Sequence, residues 1–267
     1  MIEEEKKIVE ISAKFLSHVT VENGVWKINA DGMHYRELNH LLRALDHNGA
    51  KKIEINNVYG QRYIGTDLEK NLKIDIFGTP GNDLGAFMDG QSVVVHGSAQ
   101  DCCGNTMNDG QIVVHGHAGD ITGYGMRGGK IFIRDDVGYR TGIHMKEFLS
   151  KKPCLVVGGT AQDFLGEYMA GGVLVVLGLN LKAEERHKAR FVGTGMHGGI
   201  MYVRGDVTHL GKEVKVINVN NSDLTLIQSL VKEFCGYFNK DFDEIMSRNF
   251  LKIVPFSHRP YGNVYAY

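Results

Sequence analysis

Residues able to do chemistry recur in this sequence at spacings that first suggest sites. Asp101, Asp120 and Asp163 each stand three positions before a glycine, at Gly104, Gly123 and Gly166. A row of carboxylates can work as general acids and bases or hold calcium. At a corner of the chain the same side chains accept backbone N–H bonds in Asx-type turns. His96 and His115 occupy equivalent places in consecutive Val-Val-His-Gly runs, and His117 follows two positions later. Three imidazoles could meet at a metal, or stand as hydrogen-bonded rungs beside turns. Gly123-Tyr-Gly125-Met-Arg-Gly128 and Gly193-Thr-Gly195-Met-His-Gly198 both match G-x-G-x-x-G. That pattern cradles a pyrophosphate only where it follows a strand and opens a helix. Here each match runs directly into a β-rich stretch, Lys130 to Arg134 or Ile200 to Arg204, so it reads as a repeat consensus.

Cys102, Cys103, Cys154 and Cys235 form neither a CxxC pair nor a disulfide framework, and they read as reduced, packed thiols. No G-x-S-x-G elbow and no G-x-x-x-x-G-K-[ST] loop occurs. The reading therefore assigns no catalytic, cofactor-binding or metal-binding residue and expects no resident cofactor.

The elements that carry these residues are set by a repeat. Gly85, Gly104, Gly123 and Gly142 follow one another at a constant step, and Met88, Met107, Met126 and Met145 keep the same period. The series continues at Gly166 with Met169 and at Gly193 with Met196, after two longer steps. The extra residues are the Lys146 to Pro153 segment and the charged Leu181 to Arg190 stretch, and a weaker first copy begins at Gly60 to Gly65. Each unit ends in a short β-rich run, such as Val93-Val94-Val95-His96-Gly97 or Ile112-Val113-Val114-His115-Gly116. Nothing between these runs has helical periodicity. The spacing predicts a mainly β fold, a single-stranded parallel β-helix of about seven coils with a period near 19, with the methionines as an interior ladder. Strands stacked at about 4.8 Å would make it roughly 34 Å long.

Composition agrees. Of the 34 glycines, 28 fall between Gly60 and Gly205, so the excess belongs to the repeats and marks corners and close backbone approaches. With 30 basic and 31 acidic residues, the chain shows no electrostatic footprint for nucleic acid or an anionic membrane. The longest charge-free apolar stretch, Tyr168 to Leu181, falls short of the roughly 18 or more residues that a spanning helix needs. Met1 to Lys7 has no apolar signal core, and a cytoplasmic location is expected.

Three segments follow: an α/β N-terminal cap over 1–58, the repeats over 59–220, and a C-terminal helix and extended tail over 221–267. In the first, Val25 to Ile28 is a strand and a helix runs from about Met33 to His47, with Asp31 as its N-cap and Leu38, Leu41, Leu42 and Leu45 on one face. Ile53 to Val58 alternates as the strand leading into the coils. Val214 to Val219 is one more strand outside the repeat. Ser222 caps a helix to about Phe238, with Leu224, Ile227, Leu230, Val231 and Phe234 on one face. The helices are expected to close the cylinder ends, where open coils would expose strand edges. The tail, Phe250 to Tyr267, reads as extended.

Laid out in this way, the repeats resemble a known family. Gly60-Gln61-Arg62-Tyr63-Ile64-Gly65, Gly81-Asn82-Asp83-Leu84-Gly85-Ala86-Phe87-Met88, Gly104-Asn105-Thr106-Met107, Met126-Arg127-Gly128-Gly129, Gly142-Ile143-His144-Met145 and Phe164-Leu165-Gly166-Glu167-Tyr168-Met169-Ala170-Gly171-Gly172 are similar to the GXGXG-repeat C-terminal domain of the glutamate synthase large (alpha) subunit. The similarity covers roughly residues 31 to 205, with Ser257-His258-Arg259-Pro260-Tyr261 in the tail.

The resemblance implies a right-handed β-helix with a structural role, present here as a stand-alone chain beside amidotransferase and FMN-domain chains. The family's glutamine hydrolysis uses an N-terminal cysteine, whereas this chain begins Met1-Ile2. The resemblance therefore implies a non-catalytic subunit of an oxidoreductase complex of glutamate biosynthesis and nitrogen metabolism. The two insertions, Lys146 to Pro153 and Leu181 to Arg190, are expected to protrude from the cylinder and to contact the partner chains. The β-helical subunit of formylmethanofuran dehydrogenase has similar glycine repeats and is the alternative. An autonomous β-helix lyase or hydrolase is a further one, and it requires Asp101 and Asp120 to converge in an open groove.

Overall fold

The computed structural model describes residues 17–69 and 71–257. One twelve-stranded sheet runs through them, and up to its tenth strand the spatial order follows the chain order. It opens with an antiparallel hairpin of β1 (Val19–Glu22) and β2 (Val25–Asn29). Asn23 and Gly24 turn it with φ of 51° and 78°, as the mirror-image turn of a two-residue hairpin requires. Helix α1 (Tyr35–His47) follows, then β3 (Lys52–Tyr59), β4 (Lys73–Thr79), β5 (Asp89–Val95), β6 (Asp109–Val114), β7 (Lys130–Ile133), β8 (Cys154–Val157), β9 (Ala170–Val176) and β10 (Gly198–Arg204). From β2 to β10 every neighbouring pair is parallel. This is a β-solenoid, each coil laying its strand on the one before.

The register places equivalent residues above one another. Ile28, Ile55, Ile76, Val95, Val114, Ile133, Val157, Val176 and Val203 form one continuous inward ladder. Met88, Met107, Met126, Met145, Met169 and Met196 line the same interior, all buried, as the period predicts. A row of seven glycines, Gly65, Gly85, Gly104, Gly123, Gly142, Gly166 and Gly193, delimits six regular turns, one fewer than the expected seven coils.

Each of these glycines has a left-handed φ, between 66° and 88°, and the residues two places before it do too: Tyr63, Asp83, Cys102, Ile121, Arg140, Phe164 and Phe191. From Gly85 to Gly193 every turn is closed in the same way. At Gly104 the amide donates to Leu84 O at 2.8 Å, one coil below, and its carbonyl accepts from Met107 N at 3.1 Å. A Cβ there would also run into the tip of Ile131 from a coil above. Glycine is required at this position on both counts.

Both ends and one flank are covered. At the start, α1 turns Leu38, Leu41, Leu42 and Leu45 onto the first coil. Its N-cap is His34, which forms a capping box with Glu37, in place of the expected Asp31. At the other end β12 (Phe250–Pro255) runs antiparallel to β10 and to β11 (Val214–Ile217), so Val214 to Ile217 joins the sheet as its last edge.

The expectation that the C-terminal helix caps an end is corrected. Helix α2 (Asn221–Phe238) and the short α3 (Phe242–Met246) lie along the side of the solenoid. Ile227, Leu230, Val231 and Phe234 of α2 pack on Val113, Phe132, Val156, Val175 and Tyr202, the outward residues of β6 to β10. Five coils present an apolar outer face there, and burying it draws the helix onto the flank. The α2 cap is Asn220 in a capping box with Asp223, not Ser222, and Leu224 points to solvent. Met1 to Lys7 and the tail motif from His258 onward lie outside the described residues.

Candidate functional site

The three aspartates sit at corners and bond to backbone. Asp101 Oδ1 accepts from the amide of Asp120 at 2.9 Å, and Asp120 Oδ1 accepts from that of Tyr139 at 2.9 Å. Asp163 Oδ1 accepts from the amide of Arg190 at 2.8 Å, and its Oδ2 receives Nε and Nη2 of the same arginine at 3.1 and 2.8 Å. Hydrogen bonds from Arg190 hold the Asp163 carboxyl below the usual carboxylate range. Each carboxylate thus ties its corner to the next coil. Asp101 and Asp120 do not converge on a groove, the arrangement an autonomous lyase or hydrolase would need.

The histidines are divided between two ladders. His96 and His115 stack face to face, with ring centroids 5.5 Å apart. Phe77 stacks on His96 at 4.3 Å, and Phe238 of α2 meets His115 edge-on at 5.1 Å. His96 Nε2 lies 3.0 Å from Asp75 Oδ1, and Lys52 Nζ lies 3.1 Å from Asp75 Oδ2. Burial opposes ionisation of Asp75, but the hydrogen bonds from His96 and Lys52 outweigh it and keep the carboxyl below its ordinary value. Burial pushes the His115 imidazole below its ordinary value, and neighbouring His96 and Arg134 add to this.

His117 belongs to a row that runs Ser98, His117, Asp136, Thr160. Ser98 Oγ accepts from His117 N at 3.2 Å, His117 Nδ1 from Asp136 N at 3.3 Å, and Asp136 Oδ1 from Thr160 N at 2.5 Å. Nδ1 of His117 thus serves as an acceptor in this row. The three rings do not point at one centre. Among the described residues no group of three or more His, Cys, Asp or Glu is placed to hold a metal.

The two G-x-G-x-x-G matches are corners. Gly123 and Gly193 belong to the row of left-handed glycines, and the amides of Gly128 and Gly198 donate to Met107 and Met169 of the coil below, leading into β7 and β10. Neither opens a helix, so neither offers a pyrophosphate the N-terminus it needs. All four cysteines are free thiols. Burial pushes Cys103 up to about 12 and Cys102 to about 11, which makes both poor nucleophiles at neutral pH.

A recurring glycine corner is therefore the feature that defines the chain. A family profile described as the GXGXG motif matches residues 46–256, from the end of α1 to the end of β12. The chain belongs to the GXGXG motif family. This is the family of the C-terminal domain of the glutamate synthase alpha subunit. The chain is also similar to the uncharacterized protein MJ1350 of Methanocaldococcus jannaschii, 48% identical over 249 residues that cover 90% of this chain and 95% of the relative.

In this GXGXG chain the glycine edge carries a feature that the sequence reading missed. Residues flanking the corner glycines are large, aromatic and exposed: Tyr63, Phe87, Tyr124, Tyr168 and Phe191 are each at least two-fifths exposed. Rings on this edge stack in pairs. Phe164 and Phe191 lie 5.0 Å apart, with the Arg140 guanidinium 4.8 Å above Phe164, and His144 and Tyr168 lie 5.4 Å apart. The signal lies in the same repeat step, within two places of Gly65, Gly85, Gly123, Gly166 and Gly193.

Both insertions protrude. Phe148 and Leu149 are exposed on a small hairpin, Leu149 in the left-handed region, with Arg127 6.0 Å from the Phe148 ring. In the second insertion residues 182–186 are exposed, but His187 is buried, with Nε2 3.1 Å from Arg204 O. Among the described residues no helix is long and apolar enough to cross a membrane.

Proposed function

We propose that this chain is a non-catalytic structural β-helix subunit of a glutamate synthase-type complex. In that complex partner chains carry out the glutamine-dependent reductive amination of 2-oxoglutarate, and this subunit packs against and positions the FMN-domain chain in the cytoplasm. The observation that carries the reading is the family match over residues 46–256, which takes in every coil from β3 to β10. The site geometry supports it: Asp101, Asp120, His96 and His117 are engaged in coil-to-coil hydrogen bonds, and His115 is stacked between His96 and Phe238. The exposed aromatic row also supports it, because rings presented together on one edge are the composition of a surface that is covered in an assembly.

The protruding insertions and the glycine edge are the contact surfaces in this reading. Removal of 182–186 leaves the buried His187 in place and should weaken co-purification with the amidotransferase and FMN-domain chains at least tenfold, while the isolated protein keeps its melting temperature. Unchanged co-purification would remove the insertion from the interface. Failure of the intact chain to co-purify with either partner would overturn the proposed function itself.

A further inference from the structure

A second kind of site lies at the start of the solenoid, away from the G-x-G-x-x-G repeats. A cleft of about 420 Å³ opens between the solvent face of α1 and the first corner of the coils. Its walls are the rings of Tyr35 and Tyr63, 5.9 Å apart and inclined at 54°. Tyr63 is held in the left-handed region, with φ of 61°, so the corner itself aims the side chain toward the helix. The Arg36 guanidinium lies 5.7 Å from the Tyr35 ring centre, and its Nε donates to Tyr35 Oη at 3.2 Å.

Charge points to a ligand. Arg36 and Arg43 both line the cleft, no carboxylate does, and Arg43 is half-buried without an ion-pair partner among the described residues. Asn39, between them, is held by donating Nδ2 to Tyr35 O and Arg62 O at 2.8 and 2.7 Å, which locks the helix to the corner.

The spacing sets the ligand's shape. Tyr35 and Arg43 are eight positions apart on one helix, about 12 Å along its axis. A ring with its acid group attached directly does not span that distance, whereas a ring joined to an anion through a sugar does. We propose that this cleft binds a mononucleotide, its base against Tyr35 and Tyr63 and its phosphate on Arg43. Arginine suits a phosphate because its forked donors match the oxygens, and aromatic faces accept any base. The volume lies within the range of small-molecule sites.

The test is isothermal titration of the full chain at low salt with AMP, GMP, CMP and UMP, alongside adenosine and inorganic phosphate. At least one mononucleotide should bind saturably and at least tenfold tighter than adenosine or phosphate. Arg43→Ala should weaken that binding about tenfold and leave adenosine unaffected, and Tyr63→Ala should weaken both. Both positions are at the surface of the cleft, and circular dichroism melting checks that the variants remain folded. If Arg43→Ala loses its fold, Arg43→Gln replaces it. Binding no tighter than that of adenosine or phosphate, or binding unchanged by both substitutions, would overturn the proposal.

Discussion

The coils and the flank of this molecule are held together in opposite ways. In the coils a residue's partner is the equivalent position one turn away, so contacts recur from turn to turn: corner glycine beside corner glycine, methionine beside methionine, and, at Asp101, Asp120 and Asp163, a carboxylate on the next corner's amide. On the flank every contact is made once. Tyr202 Oη donates to Asp223 Oδ1 at 2.6 Å, and Lys252 Nζ donates to both oxygens of that carboxylate at 2.7 and 2.9 Å, all three groups buried. Asp223 also closes the capping box of α2. One side chain therefore joins β10, β12 and α2. A repeated structure distributes its stability over nearest-neighbour interfaces, whereas a unique one concentrates it.

That contrast can be broken most severely at the flank. Asp223→Ala leaves the Lys252 ammonium buried without a counter-charge and should cost about 3–5 kcal/mol. Loss should appear as early melting of α2 by hydrogen exchange. Equal loss of protection across β4 to β7 would show that the two regions are not separable.

Within the coils the largest single effect is expected at a corner. Gly104→Ala adds a Cβ in the left-handed region and against the Ile131 tip, for about 2–3 kcal/mol. Ile131→Val alone should cost about 0.5–1.5 kcal/mol. Because it removes the colliding carbon, the double variant should be more stable than the two losses predict together, measured by a denaturant-unfolding cycle. Simple additivity would mean that the corner does not stack as described. Smaller again is Asp120→Ala, about 1 kcal/mol, because the freed Tyr139 amide lies near solvent and water replaces the lost acceptor.

The pH dependence should separate the regions with the least perturbation. Burial holds the His187 imidazole below its ordinary value, against a hydrogen bond to Arg204 O. The native state thus binds fewer protons than the unfolded chain, and the stability His187 contributes is whole above about pH 6.5 and declines as pH falls below it. At Asp223 burial opposes ionisation, but the Asn220 amide, Lys252 and Tyr202 outweigh it and hold the carboxyl low. Its contribution is present above the ordinary carboxylate range, near pH 4, and lost below it. Melting temperatures should fall in two steps on acidification, and His187→Gln should remove the upper one only. An upper step that survives this substitution would assign it elsewhere, with His115 next in line.

What could be read from sequence follows the same division. The glycine and methionine step is visible because the coils repeat it, and with it came the strands, the methionine interior and the corner aspartates. The place of α2 was not read, because a helix that packs once leaves no period. The information lay in the strands instead. The outward ladder runs Lys27, Glu54 and Asp75 over the first strands, then Val94, Val113, Phe132, Val156, Val175 and Tyr202. The change from charged to apolar marks where a covering element begins. The hairpin of β1 and β2 was missed although Asn23-Gly24 is a strong turn signal. The cleft at Tyr35 and Tyr63 joins two segments separated by the rest of α1 and all of β3, a proximity that only the register of the helix against the first corner creates.

The central claim is that the polar rungs of the solenoid hold coils together and take no part in a reaction. Its most direct test is glutamine-dependent formation of glutamate from 2-oxoglutarate, measured in a reconstituted set of amidotransferase chain, FMN-domain chain and this chain. Leaving this chain out should lower the coupled rate at least tenfold. Adding the triple variant Asp101→Asn, Asp120→Asn and His117→Asn, once it is shown to be folded and assembled, should restore the full rate. A folded, assembled triple variant that lost the reaction by a hundredfold or more would place chemistry on these rungs and contradict the account.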